Sequence, residues 1–182
     1  MSARRTGREF LVDVAQLRKQ PGSRRQVAFE GEIPDLAISA SRVPEGEQLK
    51  IDLTLESVSG GILVSGTVDA HWTGECRRCL ESAIGPLHVE VLELCEPNPV
   101  DEELSYRLGH DELDLLPIVH DACILELPLA PLCREDCLGL CPVCGANRNV
   151  VACSCTPPKD NRFAALEVLV ADEPEGDDEP ET

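Results

Sequence analysis

Aromatic residues are nearly absent from this chain: Trp72, Tyr106, Phe10, Phe29 and Phe163 are the full set among 182 residues. An aromatic core is excluded, so Leu, Val and Ile must fill the interior. The base-stacking platforms of single-strand RNA binders are missing as well. Positive charge is also scarce, with 16 Lys+Arg against 34 Asp+Glu and a net charge of −18. A surface of that sign repels phosphate backbones and attracts basic partners. Long apolar runs are lacking too. Nothing approaches a membrane span, and after Arg4, Arg5 and Arg8 only Phe10-Leu11-Val12 precedes Asp13, which is too short for the apolar region of a signal peptide. The expectation is a cytoplasmic protein with reduced thiols.

The charge is unevenly spread. Residues 1–25 hold seven basic residues against Glu9 and Asp13, whereas the last twelve residues hold seven acids and no base. Residues 1–9 therefore read as a flexible basic arm and residues 171–182 as a disordered acidic tail. The acidic excess that remains belongs to the body between them. From Cys133 to Phe163 the balance is close to neutral, four basic residues against three acids.

Within that body, residues 10–132 read as an antiparallel β meander followed by a helix. Phe10 to Val14 suggests a short strand, and Gln20-Pro21-Gly22-Ser23 a turn. Apolar residues alternate at Leu49, Ile51, Leu53 and Leu55, then again at Ile62, Val64, Val68, Ala70 and Trp72 after Ser59-Gly60-Gly61. Period two marks strands with one buried face, and the glycines between them mark a hairpin. Leu87, Val89 and Val91 give a third run. Leu115, Leu116, Ile118, Val119, Ala122, Cys123 and Leu125 define a helical face, with Asp114 as N-cap and Pro117 tolerated in the first turn. Pro128 and Pro131 end it. A second helix is expected over Arg162 to Val170. The fold class is α+β, mainly antiparallel β in a curled sheet or partial barrel, with one or two helices and a small cysteine-rich zinc knuckle over residues 133–170.

What the chain has in abundance is cysteine. Six of its ten cysteines fall between Cys133 and Cys155: Cys133/Cys137 spaced C-x3-C, Cys141/Cys144 in Cys-Pro-Val-Cys-Gly, and Cys153/Cys155 spaced C-x-C. In a reducing compartment, paired thiols of this kind point to a tetrahedral zinc site more than to disulfides, a redox sensor or an iron–sulfur cluster. Six ligands exceed what one zinc takes. The reading is one structural ion held by four of Cys133, Cys137, Cys141, Cys144, Cys153 and Cys155. Cys141 and Cys144 are its surest members, and either remaining pair can complete the set.

A further pair, Cys76-Arg77-Arg78-Cys79, stands between strands, where it can be half a metal site, a redox dithiol or a tight turn. Its two arginines can meet a phosphate or an acidic partner, or form local salt bridges. Cys123 lies on the apolar stripe of the helix and reads as core; Cys95 has no cysteine near it in sequence. The histidines at 71, 88, 110 and 120 are scattered, outside any recognisable catalytic order, and no catalytic residues are expected.

Taken together, Glu75-Cys76-Arg77-Arg78-Cys79-Leu80, the run from Leu127 to Asn147, Cys153-Ser154-Cys155 and Arg162 to Leu166 closely resemble the YceD-like family of large ribosomal RNA accumulation proteins. The resemblance extends over roughly Phe10 to Val170. It implies a non-enzymatic role in ribosome biogenesis and large-subunit assembly, with a large-subunit ribosomal protein or pre-ribosomal particle as partner and local ribosomal RNA contact. Members of the family that keep the C-x-R-C pair but lack most later cysteines imply a metal site that is structural and lineage-dependent. The acidic body fits a basic client protein. The competing reading is a zinc- or redox-responsive regulator that binds a protein partner.

Overall fold

Residues 8–99 and 105–156 are described by the computed structural model, in two compact units that divide between Gly139 and Leu140. The expected second helix and the acidic tail lie outside the described residues, as does the arm up to Gly7. Arg8 and Glu9 begin a 3-10 turn that ends at Phe10.

In the first unit, β1 (Leu11–Asp13), α1 (Ala15–Arg18), β2 (Arg24–Gly31), β3 (Ser41–Arg42), β4 (Leu49–Val58), β5 (Gly61–Glu75), β6 (Ser82–Glu96), β7 (Tyr106–Arg107), β8 (Glu112–Asp114) and α2 (Leu116–Glu126) follow in order. The alternation read from the sequence is the structural period. Leu49, Ile51, Leu53 and Leu55 of β4 are at most 1% exposed, and Val64, Val68, Val89 and Val91 lie on the same buried side of β5 and β6. Helix α2 covers that side with Ile118, Val119 and Cys123, all fully buried. Each such aliphatic side chain contributes about 1.5–3 kcal/mol on leaving water. Phe10 and Phe29 meet edge to face, with ring centroids 5.2 Å apart, at one margin of this core.

The sheet runs β2-β4-β5-β6-β7, with β3 pairing β5 beyond the end of β4. Among the described strands it is open, since its ends, β2 and β7, do not pair with each other. The meander is antiparallel except at its last step, where β7 pairs β6 in parallel through Cys95 and Tyr106. The first expected strand, β1, leaves the meander to pair with β8 in a separate two-stranded sheet. Strand β2 was not expected: Val27 and Phe29 alone carry its alternation, and its other residues are polar or small, as an edge strand allows.

Asp114 caps α2 from one position further out than expected. The N-cap is Leu115, and Asp114 Oδ1 accepts from the Leu116 N–H at 3.0 Å. Pro117 sits in the first turn and Leu127 is extended ahead of Pro128, as anticipated.

Strands β5 and β6 form the longest hairpin, paired from Ile62↔Cys95 to Glu75↔Ser82. Its closing loop is Cys76 to Glu81. The fold thereby carries Cys76-Arg77-Arg78-Cys79 to the tip of a fifteen-residue strand pair.

Candidate metal centres

The hairpin tip is a tight, closed turn. The Leu80 N–H donates to the Cys76 carbonyl and the Cys76 N–H to the Glu81 carbonyl, both at 2.8 Å, and Leu80 takes a left-handed φ of 63° to close it. Both cysteine side chains are buried on the loop that follows α2. That loop is tied to the tip by the Arg77 N–H, which donates to the Pro131 carbonyl at 3.0 Å. Arg78 Nη1 donates to the Glu135 and Cys137 carbonyls, each at 3.0 Å. Gly139 leaves so close beneath Arg78 that a Cβ there would lie 2.9 Å from the Arg78 carbonyl, at a φ of +70°.

These ties bring Cys76, Cys79, Cys133 and Cys137 together, with all four Sγ atoms within 4.8 Å of one another. Cys76 and Cys137 stand 3.8 Å apart and Cys79 and Cys133 3.6 Å. Zinc–thiolate bonds of about 2.3 Å set tetrahedron edges of about 3.8 Å, so the spacing fits a shared ion. It is far beyond the ~2 Å of a disulfide.

The second unit builds another such group. Cys141 opens the Cys-Pro-Val-Cys-Gly turn: Gly145, at a φ of 72°, donates its N–H to the Cys141 carbonyl at 2.9 Å, and the Val143 N–H points at Cys141 Sγ at 3.4 Å. An antiparallel bridge from Leu140 to Asn147 closes the turn, and Asn147 Oδ1 organises the next one by accepting from the Asn149 N–H at 3.0 Å. Cys153 then stands 3.4 Å from Cys141 and 3.6 Å from Cys144. With Cys155 these make a second set of four thiols within 4.8 Å.

One thiol in each set is prepared for ionisation. At Cys76 burial opposes the charge, but backbone N–H groups of Cys133, Arg78 and Cys79 outweigh it and bring the pKa to about 6. At Cys141 the backbone N–H groups of Cys144 and Val143 bring it to about 6. Cys133 is pushed up to about 12, first by burial and then by its thiol neighbours. Cys155 is pushed up to about 12 mainly by Cys153 and Cys144. Like charges cannot crowd into one site unaided, so a bound cation is what would let all four sulfurs ionise.

The six cysteines singled out from the sequence are therefore all in metal-compatible groups, but they divide. Cys141, Cys144, Cys153 and Cys155 form one set. Cys133 and Cys137 leave them for Cys76 and Cys79, whose role spacing had left open. In place of one group of four drawn from those six thiols, the geometry offers two groups of four, each able to hold an ion. The signal was available in the count: with Cys123 read as core and Cys95 without a cysteine near it, eight cysteines remain, in four pairs. Both core thiols are fully buried and pushed up to about 12 by burial, as befits inert side chains. No histidine joins either set among the described residues. Each instead meets a carboxylate, as His71 meets Glu47 at 2.9 Å and His88 meets Asp69 at 2.6 Å.

Sheet and thiol sets together define a β protein whose longest hairpin and following loops are organised by paired cysteines. The chain belongs to the YceD family: the family model described as large ribosomal RNA subunit accumulation protein YceD matches residues 64–170, a span that includes all eight grouped cysteines. An uncharacterized protein of Mycobacterium tuberculosis is 38% identical over 143 residues, covering 75% of this chain and 69% of its own. A chloroplastic protein of Zea mays named as a YCED homolog for large ribosomal RNA subunit accumulation is 36% identical over 58 residues, 31% of this chain and 20% of its own. Its counterpart in Arabidopsis thaliana is 23% identical over 156 residues, 68% of this chain and 49% of its own. No solved structure matches. Among the described residues no helix is long and apolar enough to cross a membrane.

Proposed function

We propose that this protein is a non-enzymatic factor of ribosome biogenesis that supports accumulation of large-subunit ribosomal RNA in the cytoplasm by binding a basic large-subunit protein or a basic surface of the precursor particle. The observation that carries the reading is the family match across residues 64–170. The net charge of −18 supports a basic client, since complementary charge raises encounter rates and holds such a protein in soluble form. Zinc is the ion best suited to both sites, because four soft thiolates at tetrahedral spacing with no open position are its structural coordination. One ion would be held by Cys76, Cys79, Cys133 and Cys137 and a second by Cys141, Cys144, Cys153 and Cys155. Bound there, zinc supplies cross-linking and charge neutralisation and no reaction step.

Sedimentation of cell extract tests the role. The protein is expected in the fractions of large-subunit precursors, enriched when assembly is stalled. A protein that stays at the top of the gradient under stalled assembly contradicts the reading. Metal analysis tests the sites: two zinc per chain, falling to one in either Cys137→Ser or Cys144→Ser. The exposed Cys144 and Cys155 favour a second reading, a regulator that releases a partner when those thiols oxidise. Loss of precursor association on mild peroxide treatment would select it.

A further inference from the structure

Beside the first thiol set lies a groove of about 670 Å³ bounded by the 37–42 loop with β3, the hairpin tip and the 129–131 loop. Its walls are fixed to one another. Ser41 pairs with Gly74 in the sheet and donates its hydroxyl to the Pro128 carbonyl at 2.9 Å, and the Arg77 N–H holds the Pro131 carbonyl. Two arginines, Arg42 and Arg77, line the groove. Both are exposed, and neither donates its guanidinium to any partner among the described residues.

Most other described arginines are engaged, Arg148 being a further exception. Arg18, Arg25 and Arg78 donate to backbone carbonyls and Arg24 pairs with Glu56 at 3.1 Å. Within the C-R-R-C tip the division of labour is sharp: Arg78 braces the loop of Cys133 and Cys137, while Arg77 faces the groove. An acid, Glu75, also lines the groove yet makes no ion pair with either arginine. The remaining polar lining is hydroxyl, from Ser39, Ser41, Thr73 and Ser82, with the Cys76 thiol of the first set at its edge.

We infer that this groove holds the phosphodiester backbone of large-subunit ribosomal RNA, an assignment that rests on the proposed role in ribosome biogenesis and names where the RNA is touched. Guanidinium groups form paired hydrogen bonds with phosphate oxygens, and hydroxyls complete such contacts along a sugar-phosphate chain. No aromatic residue lines the groove, so bases are not stacked and the contact positions RNA without reading its sequence. The acidic body does not forbid this. At about 0.15 M salt charges are screened beyond about 8 Å, while contacts inside the groove are made at hydrogen-bond distance. The backbone hydrogen bonds of the tip, from the Leu80 N–H to the Cys76 carbonyl and from the Arg77 N–H to the Pro131 carbonyl, hold Arg77 on a closed turn.

The test measures binding of the zinc-loaded full chain to a transcript of large-subunit ribosomal RNA across a salt series. Relative to the parent, Arg42→Gln/Arg77→Gln is expected to bind about tenfold more weakly, as loss of exposed charge-assisted contacts implies. Its slope of log affinity against log salt should be shallower by about 1.4, the value for two single-strand phosphates. Arg24→Gln on β2 should change neither quantity, and Glu75→Gln should strengthen binding. Unchanged affinity and slope in the double variant, with zinc content and melting temperature intact, overturns the assignment. Loss of oligo-glutamate binding with RNA binding unchanged overturns it too, and makes the groove an acidic-peptide site. The biogenesis role is judged separately: the double variant that still cosediments with precursor particles leaves that role standing whatever becomes of the groove.

Discussion

Cys76 and Cys79 end a hairpin whose strands bury Val68, Val89 and Val91, and Cys133 and Cys137 reach them from a loop pinned by Arg77 and Arg78. Cys141, Cys144, Cys153 and Cys155 belong to a segment in which, among the described residues from Leu140 onward, Cys141 alone is buried. The same four donors thus do different work. In the first unit a metal would lock the end of a structure that already has a core. In the second, a metal would replace the core, as in small metal-dependent domains where binding free energy is folding free energy.

Stripping metal with a chelator should separate the two most widely. Apparent binding energies of about 10–16 kcal/mol stand behind structural zinc in such segments. Residues 140–156 should therefore lose amide protection and become open to protease, with cleavage just beyond Gly139, while β4, β5 and β6 remain protected. A metal-free segment that stays protected would remove the distinction. The converse perturbation is Leu53→Ala, at a position of 0% exposure in the sheet. It should cost about 2–5 kcal/mol in urea titration and leave two metals on the folded fraction. Loss of the second metal alone from that variant would show that the segment depends on the core after all.

The same contrast explains how far the sequence could be read. Period-two alternation survives in β4 because one face is wholly buried, so Leu49 to Leu55 announce themselves. Strand β2 does not, since an edge strand needs only Val27 and Phe29 inward. The parallel pairing of β7 with β6 was invisible because it involves two residues on each strand. The Cys-Pro-Val-Cys-Gly turn was legible because its ligands are local. The first set was not, since Cys79 and Cys133 are 54 residues apart and only the hairpin register brings them together. Arg78 was misjudged for a related reason: its partners are backbone carbonyls of a distant loop, which no side-chain pattern reveals.

Arg78→Gln probes that long-range tie. The guanidinium holds the carbonyls on either side of Asp136, so its removal should weaken metal binding by the first set about 10- to 100-fold, the usual effect of losing a group that orients a ligand. The second set should keep its affinity. A competition titration with a chromogenic chelator resolves both steps, and equal weakening of the two would contradict the separation of the sites.

The smallest expected effect is in proton binding. Cys76 and Cys141 both fall to about 6 from an ordinary 9.0, through backbone N–H donors. A thiol depressed in this way adds stability that is complete above pH 9, shrinks as pH falls and is gone below about 6. The donors to Cys76 belong to the sheet-bearing unit, which should stand without metal; those to Cys141 belong to the turn that should not. In the metal-free chain, carbon-13 shifts of the cysteine Cβ atoms should therefore show Cys76 titrating near 6 and Cys141 back near 9. Stability of the sheet should rise with pH across that window on account of Cys76, with no contribution from Cys141. If Cys141 also titrates near 6 without metal, the turn holds itself together, and the second site is a lock like the first rather than a substitute for a core.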